Sequence, residues 1–269
     1  YQTPSINFGG GALPNAGGFD AFVAKLDVNG DYVWAKGFGD ATEQSANDVE
    51  LDAFGNVFVA GDMQGSVNFG GVPLTAPSQS AFLVKLTSAG AHTWSKRFGE
   101  GKATGIGVAT NVAGEAFLLG DFNESMDLGT EVFDAGANDD IFLLHLDAQG
   151  VNIWNKRFGD TLAQHAGDIV VDASGGPVIT GYFGSNINFG GDTLMSAGSF
   201  DLFLAKLDAK GCHVQSQTWG SSLYEAGQTV ALDATGNAIV GGNFSGTLDF
   251  GGGVLTASGT DVLLAKFAP

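Results

Sequence analysis

At 269 residues and 44% hydrophobic content the chain is long enough to bury a large core, yet its 43 glycines and the lack of any sustained helical periodicity exclude a helical protein. Its 29 acidic and 11 basic residues give a formal charge of −18. No basic patch can be assembled from them, which argues against nucleic acid and bare anionic membrane as partners.

In chain order, the first phrase is Asn7-Phe8-Gly9-Gly10, followed by the apolar run Phe22 to Leu26, an acidic turn Asp27-Val28-Asn29-Gly30-Asp31, and the aromatic run Trp34-Ala35-Lys36-Gly37-Phe38-Gly39. A fourth phrase, Leu51-Asp52-Ala53-Phe54-Gly55-Asn56, leads into Val57 to Gly61. Thereafter the same phrases return about every 60 residues. The apolar run returns at Phe82 to Leu86, Phe142 to Leu146, Phe203 to Leu207 and Leu263 to Phe267. The aromatic run returns at Trp94 to Gly99 and Trp154 to Gly159, then decays to a shifted Trp219-Gly220. The Asx phrase returns at Val171 to Gly181 and Leu232 to Gly242, more weakly at Thr110 to Gly120, and the Gly-Gly phrase at Asn68, Asn188 and Asp249, with Asp127-Leu128-Gly129-Thr130 as its degenerate copy. The repeats are therefore 1–39 (partial), 40–99, 100–159, 160–220 and 221–269 (partial), forming one domain over 1–269.

Short runs rich in Val, Phe and Leu and bounded by Gly, Asn or Asp predict strands and turns. The second repeat reads as strands near Val49 to Asp52, Val57 to Asp62, Ala81 to Leu86 and His92 to Phe98, with Asn68 to Ala76 as a crossover. That is a four-stranded propeller blade, longer than a kelch or WD40 blade and without either signature. The expectation is an all-β propeller. Its 17 strands fit four blades with one to spare, closed by pairing Ala21 to Phe38 with Ala231 to Phe267, which removes exposed edges. Five blades, or a piece of a longer array, are the alternatives.

The combination of Gly18-Phe19-Asp20 with Ala21 to Asp27, an aromatic strand ending in Phe-Gly, and Asp-Ala-x-Gly-Asn before an apolar strand ending in Gly resembles the SBBP-type β-propeller repeat of bacterial secreted proteins. The resemblance spans essentially the whole chain. It implies a propeller and an exported protein, located extracellularly, in the periplasm or on the outer cell surface, and it implies no chemistry.

Strand alternation puts Trp34, Lys36 and Phe38 on one face, so Trp34, Trp94 and Trp154 with Phe38, Phe98 and Phe158 read as packing residues rather than sugar platforms. The strand lysines Lys25, Lys85, Lys206 and Lys266 call for carboxylate partners such as Asp48 or Asp168, with His145 as a tolerated loss of charge. Asp52, Asp172 and Asp233 sit where an Asx turn needs an acceptor. The Asp27 to Asp31 turn begins like a calcium loop, but its equivalents lose the later carboxylates and no bidentate Glu follows, so no metal is expected. The sequons at Asn123 and Asn243 are attributed to chance.

Cys212 is the single cysteine, so no internal disulfide can form, and a strand thiol is expected to be buried. Tyr1 is not an initiator methionine, and the chain reads as a mature or trimmed product without a membrane span. His92, His145, His165 and His213 fall at non-equivalent repeat positions, giving neither a metal cluster nor a base with a nucleophile. Gly251-Gly252-Gly253 lacks the lysine and helix of a phosphate loop. No catalytic residue, cofactor or metal is expected. The function expected is a non-enzymatic structural or protein-interaction module at a cell surface, with a protein partner or self-association and no membrane insertion. The alternative is a multivalent carbohydrate binder, which the dissimilar crossover segments disfavour.

Overall fold

A computed structural model describes residues 1–128 and 131–268, and all regular structure among them is β. Gly129 and Thr130, half of the degenerate copy of the Gly-Gly phrase, lie outside the described residues. The chain begins with two hairpins, β1 (Ser5–Asn7) with β2 (Ala12–Pro14) and β3 (Ala21–Leu26) with β4 (Tyr32–Phe38). Two four-stranded antiparallel sheets follow: β5 (Gln44–Leu51), β6 (Val57–Val67), β7 (Leu74–Leu86) and β8 (His92–Phe98), then β9 (Ala103–Thr110), β10 (Ala116–Asp127), β11 (Val132–Leu146) and β12 (Asn152–Phe158). In the next sheet β13 (Gln164–Val171) and β14 (Pro177–Phe183) pair with β17 (Asp201–Leu207) and β18 (His213–Trp219), and β15 (Asn186–Ile187) and β16 (Leu194–Met195) form a small separate pair. The last sheet has three strands, β19 (Glu225–Leu232), β20 (Ala238–Asp249) and β21 (Val254–Phe267).

In the sheets β5 to β8, β9 to β12 and β19 to β21 the second and third strands run longer than the sequence suggests. The segment read as a crossover after Asp62 continues the ladder to Val67↔Leu74, past a bulge at Met63/Gly65. Its tip is the Asn-Phe-Gly-Gly phrase, where the Asn68 side chain accepts the Gly70 amide at 2.7 Å, as Asn188 does for Gly190 at 2.6 Å. Phe69 and Phe189 turn inward from these tips, each to within 5.1 Å of two further phenylalanine rings, Phe38 and Phe82 or Phe158 and Phe203.

The core lies between sheets. Each apolar cluster draws side chains from two successive sheets, as where Phe58 and Leu83 meet Val108 and Leu118. Close approach explains the glycine in each second strand. A side chain at Gly61, Gly120, Gly181 or Gly242 would collide with a first-strand carbonyl, of Ser45, Thr104, His165 or Ala226.

The expected closure of the ring is not seen. Among the described residues β3 and β4 pair only with each other, and β21 pairs only with β20. Both termini carry a copy of the third strand, so joining them would require one of these copies to give way.

Candidate functional site at the joints between sheets

The recurring side chains converge where one sheet meets the next. Trp34 Nε1 donates to the Ser88 carbonyl at 3.1 Å, Trp94 to Ala148 at 3.0 Å and Trp154 to Ala209 at 3.0 Å, in each case from a fourth strand to the hairpin turn of the following sheet. The turn glycine then lies on the indole. Gly90, Gly150 and Gly211 have φ of 77°, 78° and 76°, and a β-carbon there would approach the ring to about 3 Å. Two independent constraints, a left-handed backbone and an aromatic neighbour, thus fix these glycines. Phe38 and Phe158 are buried, and Phe98 packs against the core of its own joint.

The lysines pair with the turn aspartates rather than with Asp48 or Asp168. Lys85 lies 3.4 Å from Asp52, Lys206 2.9 Å from Asp172 and Lys266 2.6 Å from Asp233, while Lys25 donates to the Ser88 carbonyl at 3.1 Å. Each turn aspartate also accepts backbone amides two and four residues on, as Asp52 does from Phe54 and Asn56. Although burial works against it, Asp172 is held at about 2 by its hydrogen bonds from Lys206 and Ser174. In the third repeat the same contact is rebuilt with different residues: Asn111 takes the aspartate position, the carboxylate moves to Glu115, and His145 Nε2 meets it at 3.0 Å.

A bulge diverts Asp48 and Asp168. The first strands break register at Ala46/Asp48 and Ala166/Asp168. Asp48 then accepts the Val108 amide of the next sheet at 2.7 Å, and Asp168 accepts the Val230 amide at 2.8 Å and the Thr229 hydroxyl at 2.9 Å. The equivalent positions in β9 and β19 are Gly107 and Thr229, so the carboxylate bridge serves alternate joints.

One titratable cluster stands outside the repeat pattern. His165 Nδ1 meets Asp121 Oδ2 at 3.0 Å, and the imidazole lies 4.9 Å from Tyr182, which is itself 5.5 Å from Tyr224. The hydrogen bond to Asp121 raises the His165 pKa, and burial raises that of Tyr182. The arrangement sets an aspartate–histidine pair against an aromatic shelf. Among the described residues no hydroxyl or thiol is hydrogen-bonded to His165. Asp121 on β10 and Tyr182 on β14 share one repeat position, the residue after the second-strand glycine, but carry different side chains there, and His165 lies on β13, so the cluster forms only where one sheet packs on the next.

Other expectations need correction. His92 and His213 are equivalent after all, each packed on a Gly-Gly pair and bonded to a serine, Ser95 at 3.1 Å and Ser216 at 3.0 Å. Cys212 is exposed, because it lies in the turn before β18 rather than in a strand. The Asp27 carboxylate accepts the Asn29 and Asp31 amides at 2.8 and 2.9 Å, which occupies one of its oxygens. No group of three potential metal ligands occurs among the described residues, and no helix among them is long and apolar enough to cross a membrane.

No family model matches the chain, and no curated protein is similar to it at a significant level. Among solved structures it is similar to a protein of unknown function from Bacteroides caccae, with 12% identity and a TM-score of 0.49 over 94% of this chain and 70% of the other.

Proposed function

We propose that this chain is a non-enzymatic scaffold built from SBBP-type propeller blades, acting in the extracellular space, the periplasm or on the outer cell surface, and binding a protein partner or further copies of itself. The observation that carries this reading is the contrast between the interior joints and the two ends of the array. Within the array the recurring Trp, Lys and Asp side chains are occupied in holding one sheet to the next. On the first and last sheets, apolar side chains and strand edges are left uncovered by the other described residues. Val49 on β5 is 55% exposed, whereas its counterpart Val108 on β9 is 2% exposed. A groove of about 310 Å³ runs beside it along the free edge of β3. At the other end Val262 on β21 is 85% exposed, although its counterparts Ala81, Ile141 and Leu202 are buried. Unpaired strand edges flanked by apolar side chains are templates for further strands.

The test is recovery of the native chain from its source, with mass measured before and after mild dissociation and a glycan array run in parallel. Stoichiometric recovery with another protein, or a multimer of the chain, is expected together with a silent array. A lone monomer that binds specific sugars overturns the scaffold reading.

A further inference from the structure

One joint is built differently from the others. With the β3–β4 hairpin counted as the first sheet, register in the second, β5 to β8, places Phe58, Lys85 and Trp94 in one row across three strands, and the two rings meet edge to face at 5.9 Å. In the third sheet the row is Phe117, His145 and Trp154, with the phenyl and indole 5.8 Å apart. In the fourth it is Val178, Lys206 and Gln215. A phenyl and an indole are thus replaced by an isopropyl group and a carboxamide. Trp219, the tryptophan nearest in sequence, does not refill the space. It pairs with Leu202, in the row of Phe98 and Phe158, and stacks on Phe267 at 4.1 Å. What remains is a cavity of about 300 Å³ between the fourth and fifth sheets.

Its walls combine apolar, amide and charged groups, the last being the Lys206–Asp172 ion pair at 2.9 Å. Leu204, Leu232 and Phe267 supply apolar surface, and Gln215 and Gln217, exposed and two residues apart on β18, supply amides at the rim. At the joints that follow the second and third sheets the plugs come from the second and fourth strands of the preceding sheet, from the positions that Val178 and Gln215 occupy here. We propose that this cavity binds a small, neutral, planar aromatic molecule with a polar N–H or carbonyl group. The ring would take the volume that phenyl and indole fill elsewhere, and the polar group would meet the glutamine amides. A cavity lined by apolar side chains and shaped for a ring binds one without needing rearrangement. The acidic surface disfavours an anionic ligand.

The experiment titrates indole into the full chain by calorimetry, with fluoroindole observed in parallel by fluorine NMR, and repeats both on Gln215→Trp and Val178→Phe. Saturable one-to-one binding is expected, weakened at least about tenfold, or about 1.4 kcal/mol, by either substitution. Gln215→Trp is further expected to raise Tm by filling the cavity, and indole is expected to raise the wild-type Tm by mass action. The two substitutions fill the cavity from different strands, so a failure of one to fold leaves the other as the test. No saturable binding up to the solubility of indole, or undiminished binding in the folded variants, overturns the proposal.

Discussion

Replacing Trp94 with alanine tests the joint most directly. The indole is half-buried between the second and third sheets, meets Phe58 edge to face at 5.9 Å, covers the Gly150 backbone and donates to the Ala148 carbonyl at 3.0 Å. Truncating a buried tryptophan to alanine costs about 3–5 kcal/mol. Partial exposure places Trp94 toward the lower end, at about 3 kcal/mol, of which the hydrogen bond contributes about 1 and the aromatic contact about 0.5–1.5. Trp94→Phe keeps a ring and loses the Nε1 donor, so a loss of about 1 kcal/mol is expected. Urea denaturation followed by far-ultraviolet circular dichroism reads both values from the shift in midpoint at constant slope. A loss smaller than about 0.5 kcal/mol for Trp94→Ala, the usual range for surface substitutions, would refute the argument that these indoles fasten each sheet to the next.

Three further outcomes are expected. Lys85, with its side chain 7% exposed, faces an Asp52 carboxylate that is fully buried, so Lys85→Met should cost about 2–4 kcal/mol by stranding that charge. Lys266, at 56% exposure in the last sheet, makes the same pair in solvent, and Lys266→Met should cost clearly less than Lys85→Met; equal losses in urea titrations would contradict this. Burial pushes the Asp140 carboxyl up to about 6 against the pull of Arg157. Because that value lies above the unfolded value of about 3.9, the stability this group contributes is complete below the unfolded value and is lost as pH rises through about 6. Asp140→Asn should therefore gain Tm relative to wild type between pH 4 and pH 7.5, and a pH-independent difference would rule this out. Exposed Cys212 should react with an aromatic disulfide reagent in the native protein as fast as it does in denaturant, whereas protection in the native state would return it to the core.

The amino-acid sequence by itself determined the repeat frame, the all-β class and the place of most strands and turns, because alternation of apolar residues and the φ demands of Gly and Asx turns act within a few residues of one another. It also marked which side chains recur. Tertiary structure decided what those side chains do, since their partners lie in other strands and other sheets. Trp94 finds its acceptor 54 residues away, and a bulge of one residue sends Asp48 to the next sheet and leaves Asp52 to Lys85. The compensated exchange at Asn111, Glu115 and His145 reads as decay until the three strands are laid side by side. The aromatic run reads in sequence as shifted to Trp219, and only strand register shows that Gln215 takes the tryptophan position beside a cavity between the fourth and fifth sheets. Closure was the expectation least accessible from sequence, because a count of strands carries no information about which edges meet.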